Sequence, residues 1–163
     1  AYPPAYADLV LDAAKEQDID PLLLMALMRQ ESFYDPRAGS SAGALGLTQV
    51  IEPTGEAIAA DLGIADFALT DLFRPRLSLR FGASYLADQL DAFDGNAYHA
   101  LAAYNGGPGA TSKAIDIAGD DDVVLFTEDL EFEETRRYVR LVMEHYARYR
   151  QAYLQLDAPS LPE

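Results

Sequence analysis

Apolar residues recur along the chain with helical spacing, and glycine or proline interrupts them at nearly every boundary. Leu9, Val10, Ala13 and Ala14 share one stripe, which predicts an amphipathic surface helix over Ala5 to Glu16. Asp20-Pro21 then offers a capping acceptor followed by a proline at the first helical position. Leu22 to Met28 is apolar on every side, the pattern of a helix in the middle of a domain, and the helix ends near Gln30 or Glu31 before Pro36. Gly39 to Gly46 is almost entirely Gly, Ala and Ser, which suits a tight loop, at most a small hairpin, where backbone approaches something closely. A short helix is expected over about 54 to 62, closed by Gly63, and a long one from Pro75 through Phe93, stopped by Asp94-Gly95. Asn96 caps Ala97 to Tyr104, and the run Gly106-Gly107-Pro108-Gly109 ends that helix. A short helix near 110 to 118, an acidic stretch and a strongly amphipathic helix from about Glu133 to Tyr153 complete the pattern.

This is a mainly helical chain with no internal repeat and no linker. Its 163 residues suit a single domain over 1–156, with Asp157 to Glu163 as a frayed tail. Composition is ordinary, 50% apolar and 24% charged, but 12 Lys and Arg stand against 27 Asp and Glu, a net charge of −15. Such a surface repels nucleic acid and anionic membranes. Without cysteine there is no disulfide, thiol nucleophile or zinc-thiolate site. No run approaches the roughly 18 apolar residues of a transmembrane helix. The chain opens Ala1-Tyr2-Pro3-Pro4, without Met or a secretory signal pattern, and reads as a mature protein or a piece of a longer one.

Among residues that could carry chemistry, Glu31 is the most informative. It falls at the end of the apolar helix, where the dipole disfavours a carboxylate, and burial would raise its pKa further. A carboxylic acid still protonated near neutral pH is what a departing glycosidic oxygen requires. The bland alternative is a helix-terminal Glu facing water. Gly39-Ser40-Ser41-Ala42-Gly43 matches the letters of a serine-hydrolase elbow, but a helix and a turn precede it instead of a strand. His99 and His145 lie in predicted helices and read as surface or core residues. The acidic run Asp120-Asp121-Asp122, with Glu128, Asp129 and Glu131, lacks the spacing of a calcium loop and reads as solvated surface. Glu133 and Glu134 open the last helix, where negative charge is favourable. Tyr104-Asn105 beside glycines suits sugar stacking and hydrogen bonding, and equally suits a core tyrosine followed by a C-cap. These residues alone leave that pair open.

Several blocks together resemble a known family. Glu31-Ser32-Phe33-Tyr34-Asp35-Pro36, continuing through Ser40, Ala42-Gly43-Ala44 and Gly46-Leu47-Thr48-Gln49, resembles the first motif of soluble lytic transglycosylases. Ala102-Ala103-Tyr104-Asn105-Gly106-Gly107-Pro108-Gly109 resembles their second, and Glu134-Thr135-Arg136-Arg137-Tyr138-Val139 a third. Gly82 to Leu86 fits the family's Gly-x-x-Tyr-Leu helix, and the blocks run in order over roughly residues 5 to 150. Thr48 stands where Met is usual, so an apolar contact with substrate is expected to be missing. Asp35 replaces the usual Asn, and Gly107 follows Gly106 where Ala-Gly is common.

The resemblance implies a lysozyme-like, mainly helical fold with at most a small β-hairpin or short sheet beside the groove. It also implies cleavage of peptidoglycan glycan strands between N-acetylmuramic acid and N-acetylglucosamine. Carried over by motif, Glu31 is the catalytic acid/base, and Ser40 and Gln49 lie near the sugar at the cleavage site. Tyr104 positions the acid, Asn105 neighbours it, and Glu134 and Tyr138 line the cleft. The family needs no metal or cofactor, closes a 1,6-anhydro ring instead of consuming water, and works in the bacterial periplasm or envelope; the partners expected are glycan strands and other domains of a longer parent protein. Two rivals remain. A goose-type lysozyme would deliver water to the same bond, and a wall-binding module would carry a dead site.

Overall fold

In the computed structural model, which describes residues 2–118, 126 and 133–154, helices account for most of the backbone. They are α1 (Ala7–Glu16), α2 (Pro21–Ser32), α3 (Glu52–Asp61), α4 (Pro75–Ala92), α5 (Ala97–Gly106), α6 (Pro108–Ala118) and α7 (Glu133–Leu154), with a 3-10 turn at Leu69–Phe73. The acidic segment through Asp120-Asp122 and Glu128 to Glu131, and the tail from Asp157, lie outside the described residues.

Local chemistry explains the boundaries. Asp20 caps α2 by accepting the Leu22 amide at 2.8 Å, with Pro21 at the first helical position. Asn96 caps α5 by accepting from the amides of Tyr98 and His99. Phe33 ends α2 in the left-handed region at φ 53°, its amide bonded to the Arg29 carbonyl. Two helices start slightly earlier than predicted, α3 at Glu52 and α6 at Pro108, because Pro53 and Pro108 occupy first-turn positions where no amide is needed.

The all-apolar α2 is the axis of the core. Leu23 to Met28 are all buried, and α7 packs along α2 and α5 through Tyr138, Val139, Val142 and Tyr149. A second, smaller core joins Val50, Ile58, Ala59, Leu72 and Phe81 under α3 and the 3-10 turn. Among the described residues, extended pairing is limited to antiparallel bridges of Leu45 with Gly39 and with Val50. The loop from Phe33 to Ile51 therefore carries the small β element expected of it, and no named strand occurs among the described residues.

Two glycines let this loop sit down on the 3-10 turn and on α4. A Cβ on Gly46 (φ 80°) would lie 2.2 Å from the Leu72 carbonyl oxygen. One on Gly82 of α4 would lie 2.4 Å from the Thr48 side chain. Only glycine admits such approaches. His99 is buried against Phe126 at 4.4 Å between ring centroids, and His145 accepts or donates a contact with the Tyr2 hydroxyl at 3.3 Å. Both are packing residues distant in role from the groove described next.

Candidate active site

Glu31 is the penultimate residue of α2, so the buried helix delivers its carboxyl to the edge of the core. There a groove of about 390 Å³ opens. The Gly/Ala/Ser loop forms one wall with Ser40, Ser41, Ala42 and Ala44, and continues through Gln49, Val50 and Ile51. Thr54 of α3, Tyr85 of α4, Tyr104 and Asn105 of α5 and Glu134 of α7 close the remainder. Five of the residues expected at the site besides Glu31, namely Ser40, Gln49, Tyr104, Asn105 and Glu134, thus line one groove.

Tyr138 occupies a different place from the expected one. It is buried, lies outside the groove lining, and donates its hydroxyl to Glu31 Oε1 at 2.6 Å from within the core. Two opposed effects act on the carboxyl. Desolvation is the larger and raises its pKa from 4.5 to about 7, while the Tyr138 hydrogen bond pulls it down. The result is an acid poised to hold a proton near neutrality and to release it within the same range. The tyrosines pay the reciprocal effect: burial first, then the nearby Glu31 charge, push Tyr138 and Tyr104 well above the ordinary phenol value.

Tyr104 does not bond the acid. Its hydroxyl donates to the main-chain carbonyl of Thr48 at 2.8 Å, and its ring packs on Tyr85 with centroids 4.9 Å apart. Asn105 Oδ1 accepts the Thr135 hydroxyl at 2.9 Å, which fixes the amide at the groove rim. Gln49 adopts φ 50°, and its side-chain amide donates to the Gly46 carbonyl at 2.9 Å. Ser40 accepts the Ala44 amide at 3.1 Å, tying the loop wall to itself.

Thr48 requires a correction. Its side chain is fully buried and bonded to Ser78 of α4, so this position faces away from the groove. Sequence reasoning also missed Thr54 and Tyr85. The Gly82-to-Leu86 pattern was the available signal for Tyr85; Thr54 had none, because only the folding of α3 across α4 brings it to the groove. The G-x-S-x-G letters form a loop with bridges instead of a strand-to-helix elbow. Among the described residues, no three His, Asp or Glu side chains converge as a metal-binding set.

The fold and groove together define a helical, lysozyme-like domain that presents one half-buried carboxylic acid to an open, sugar-sized furrow. The family model for the transglycosylase SLT domain matches residues 8–125. The chain is 36% identical over 159 residues to a soluble lytic murein transglycosylase of Salmonella typhimurium, a match covering 96% of the chain and 25% of that protein. Its structure superimposes on the 70 kDa soluble lytic transglycosylase of Escherichia coli with TM-score 0.87 at 34% identity, over 93% of this chain and 25% of the other. It superimposes likewise on an inactive glutamate-to-glutamine mutant of the lytic transglycosylase Slt of Pseudomonas aeruginosa, with TM-score 0.84 at 31% identity, over 98% and 25%. This chain belongs to the transglycosylase SLT domain family. It spans about a quarter of the length of these relatives. Among the described residues no helix is long and apolar enough to cross a membrane.

Proposed function

We propose that the chain is the catalytic domain of a peptidoglycan lytic transglycosylase of the bacterial periplasm or envelope, and that Glu31 is its acid/base. The observation that carries this reading is the Glu31 carboxyl itself: half-buried, raised to about 7, held by Tyr138 and open to a groove. The names of the relatives support the same activity.

Protonated Glu31 gives its proton to the oxygen leaving the muramic acid C1 carbon. The acetamido oxygen of that sugar stabilises the developing positive charge, so a carboxylate nucleophile is unnecessary. The Glu31 carboxylate, still desolvated, then removes the proton from the 6-hydroxyl, whose oxygen closes on C1 as the acetamido oxygen departs. Glu31 ends protonated and ready for the next strand. A pKa near 7 suits both halves of this cycle, because the group must act first as acid and then as base. Ser40, Gln49 and Asn105 present polar groups along the strand, and Glu134 binds from the rim.

One feature favours a second reading. Glu134 places another carboxylate in the groove, and a hydrolase could use it to orient water toward C1. Mass spectrometry of digested, purified peptidoglycan separates the two. Products ending in 1,6-anhydromuramic acid are expected. Products ending in reducing muramic acid, heavier by one water, would establish the hydrolase instead, and an intact polymer would leave a wall-binding module.

A further inference from the structure

The groove wall that carries Gln49 is fastened from behind by a buried polar pair. Thr48 Oγ1 donates to the Ser78 carbonyl at 2.7 Å, and its oxygen lies 3.2 Å from Ser78 Oγ. The Thr48 amide in turn donates to Ser78 Oγ at 3.3 Å. Both side chains are fully buried, and Gly46 and Gly82 are pressed against them so closely that a methyl group on either would collide. Ser78 and Gly82 are separated by one turn of α4, so a single helical face receives the whole loop.

This fastening has a chemical consequence at the acid. The same Thr48 residue offers its main-chain carbonyl to the Tyr104 hydroxyl. Tyr104 lies near enough to Glu31 for the two to interact electrostatically, yet its only O–H is committed to Thr48. Glu31 therefore receives a hydroxyl hydrogen bond from Tyr138 and none from Tyr104. We propose that Thr48 and Ser78 are positioning residues that hold the Thr48 carbonyl as a permanent acceptor for Tyr104, reserving Glu31 for Tyr138 alone.

The proposal rests on Glu31 being the acid of the reaction. A second phenol donating to Glu31 would stabilise its ionised form, lower its pKa and leave it without a proton to give a glycosidic oxygen near neutrality. Tyr138 from α7 and Tyr104 from α5 interact with the carboxyl, and Glu134 of α7 and Tyr85 of α4 line the same groove. Among these, Tyr104 is the donor whose acceptor, the Thr48 carbonyl, can be unfastened from α4 without touching Glu31. Threonine at position 48 makes this device particular to sequences with a hydroxyl there, facing a serine on α4.

The test is a carboxyl-carbon NMR titration of Glu31 in the full chain, assigned by its disappearance in Glu31→Gln. It is run on Thr48→Val, Ser78→Ala, the double variant, Thr48→Ser and Tyr104→Phe. The Thr48→Val/Ser78→Ala protein loses all three fastening bonds, and its Glu31 midpoint is expected to fall by about one pH unit as Tyr104 turns to the carboxylate. Thr48→Ser should titrate like the wild type. In a Tyr104→Phe background the same two substitutions should move nothing, a coupling that a merely structural role would not produce. Should the double variant fail to fold, the two single variants report the same shift in smaller steps. An unmoved midpoint in folded variants, or an equal shift with and without the Tyr104 hydroxyl, overturns the proposal. Because titration needs no turnover, absence of anhydro products would remove the transglycosylase reading while leaving this result to stand or fall by itself.

Discussion

Glu31→Gln isolates the energetic cost of keeping an acid half-buried at the mouth of a groove. The amide is nearly isosteric and its oxygen can still accept the Tyr138 hydroxyl, so packing is preserved while the charge is removed. In the unfolded chain Glu31 titrates at the ordinary 4.5, and in the folded protein at about 7. The folded state thus binds the proton more tightly. Its stability is fully retained below 4.5 and declines as pH rises through 7. At about 1.36 kcal/mol per pH unit of separation, the raised pKa of Glu31 costs the native state about 3 kcal/mol at pH 8 and, through ionisation of the unfolded chain, about 1 kcal/mol at pH 5. Glutamine carries no such cost. Urea denaturation of both proteins at the two pH values is the assay, because the difference between them cancels every other titrating group. Glu31→Gln should exceed the wild type by about 3 kcal/mol at pH 8 and by about 1 kcal/mol at pH 5. Stabilities that run parallel between pH 5 and pH 8 would show that the carboxyl is not desolvated, and the proposed acid would lose its physical basis.

Tyr138→Phe removes the one interaction that lowers the Glu31 pKa, so the alkaline limb of the pH–activity profile should move up by about one pH unit, read from initial rates of glycan release. Gly82→Ala drives a methyl group into Thr48, with 2.4 Å available, and should cost about 3 kcal/mol in thermal or urea unfolding; a loss under about 0.5 kcal/mol would mean the loop gives way freely. Leu27→Ala empties a fully buried position in the axis of the core and should destabilise by about 2–5 kcal/mol, while leaving the Glu31 titration in place in the folded fraction.

How legible these features were depends on the range of the interactions that set them. The position of α2 was readable because seven successive apolar residues admit no solvated face, and Asp20-Pro21 marks its start without reference to the rest of the fold. Glu31 was readable because a local motif fixes it at the end of that helix. The Gly/Ala/Ser loop announced close backbone approach, and Gly46 and Gly82 show what is approached. Side-chain direction was harder. Thr48 and Gln49 are neighbours in one motif, yet the first turns to Ser78 and the second to the groove, a division made by the left-handed backbone at Gln49 and by packing on α4. Tyr138 was placed at the cleft by resemblance, whereas its distance to Glu31 depends on α7 lying along α2, a contact between residues 107 positions apart. Thr54 and Glu134 share the groove with Glu31 for the same nonlocal reason.

The acidic surface bears on the assay conditions. With a net charge of −15, the domain repels itself and any anionic polymer, and moderate salt shortens the reach of that repulsion to about 8–10 Å. Turnover of glycan strands that bear carboxylates should therefore rise between about 10 mM and about 150 mM salt before it levels off.

The role given to Glu31 meets its most direct trial in turnover itself. Purified peptidoglycan is incubated with wild-type protein and with Glu31→Gln at pH 6, where the wild-type carboxyl is largely protonated, and soluble fragments are counted over time. A rate at least about 1,000-fold lower for the amide is the expected result, since it can neither give nor take the proton. Strand release at an undiminished rate would mean that the bond is broken by some other group.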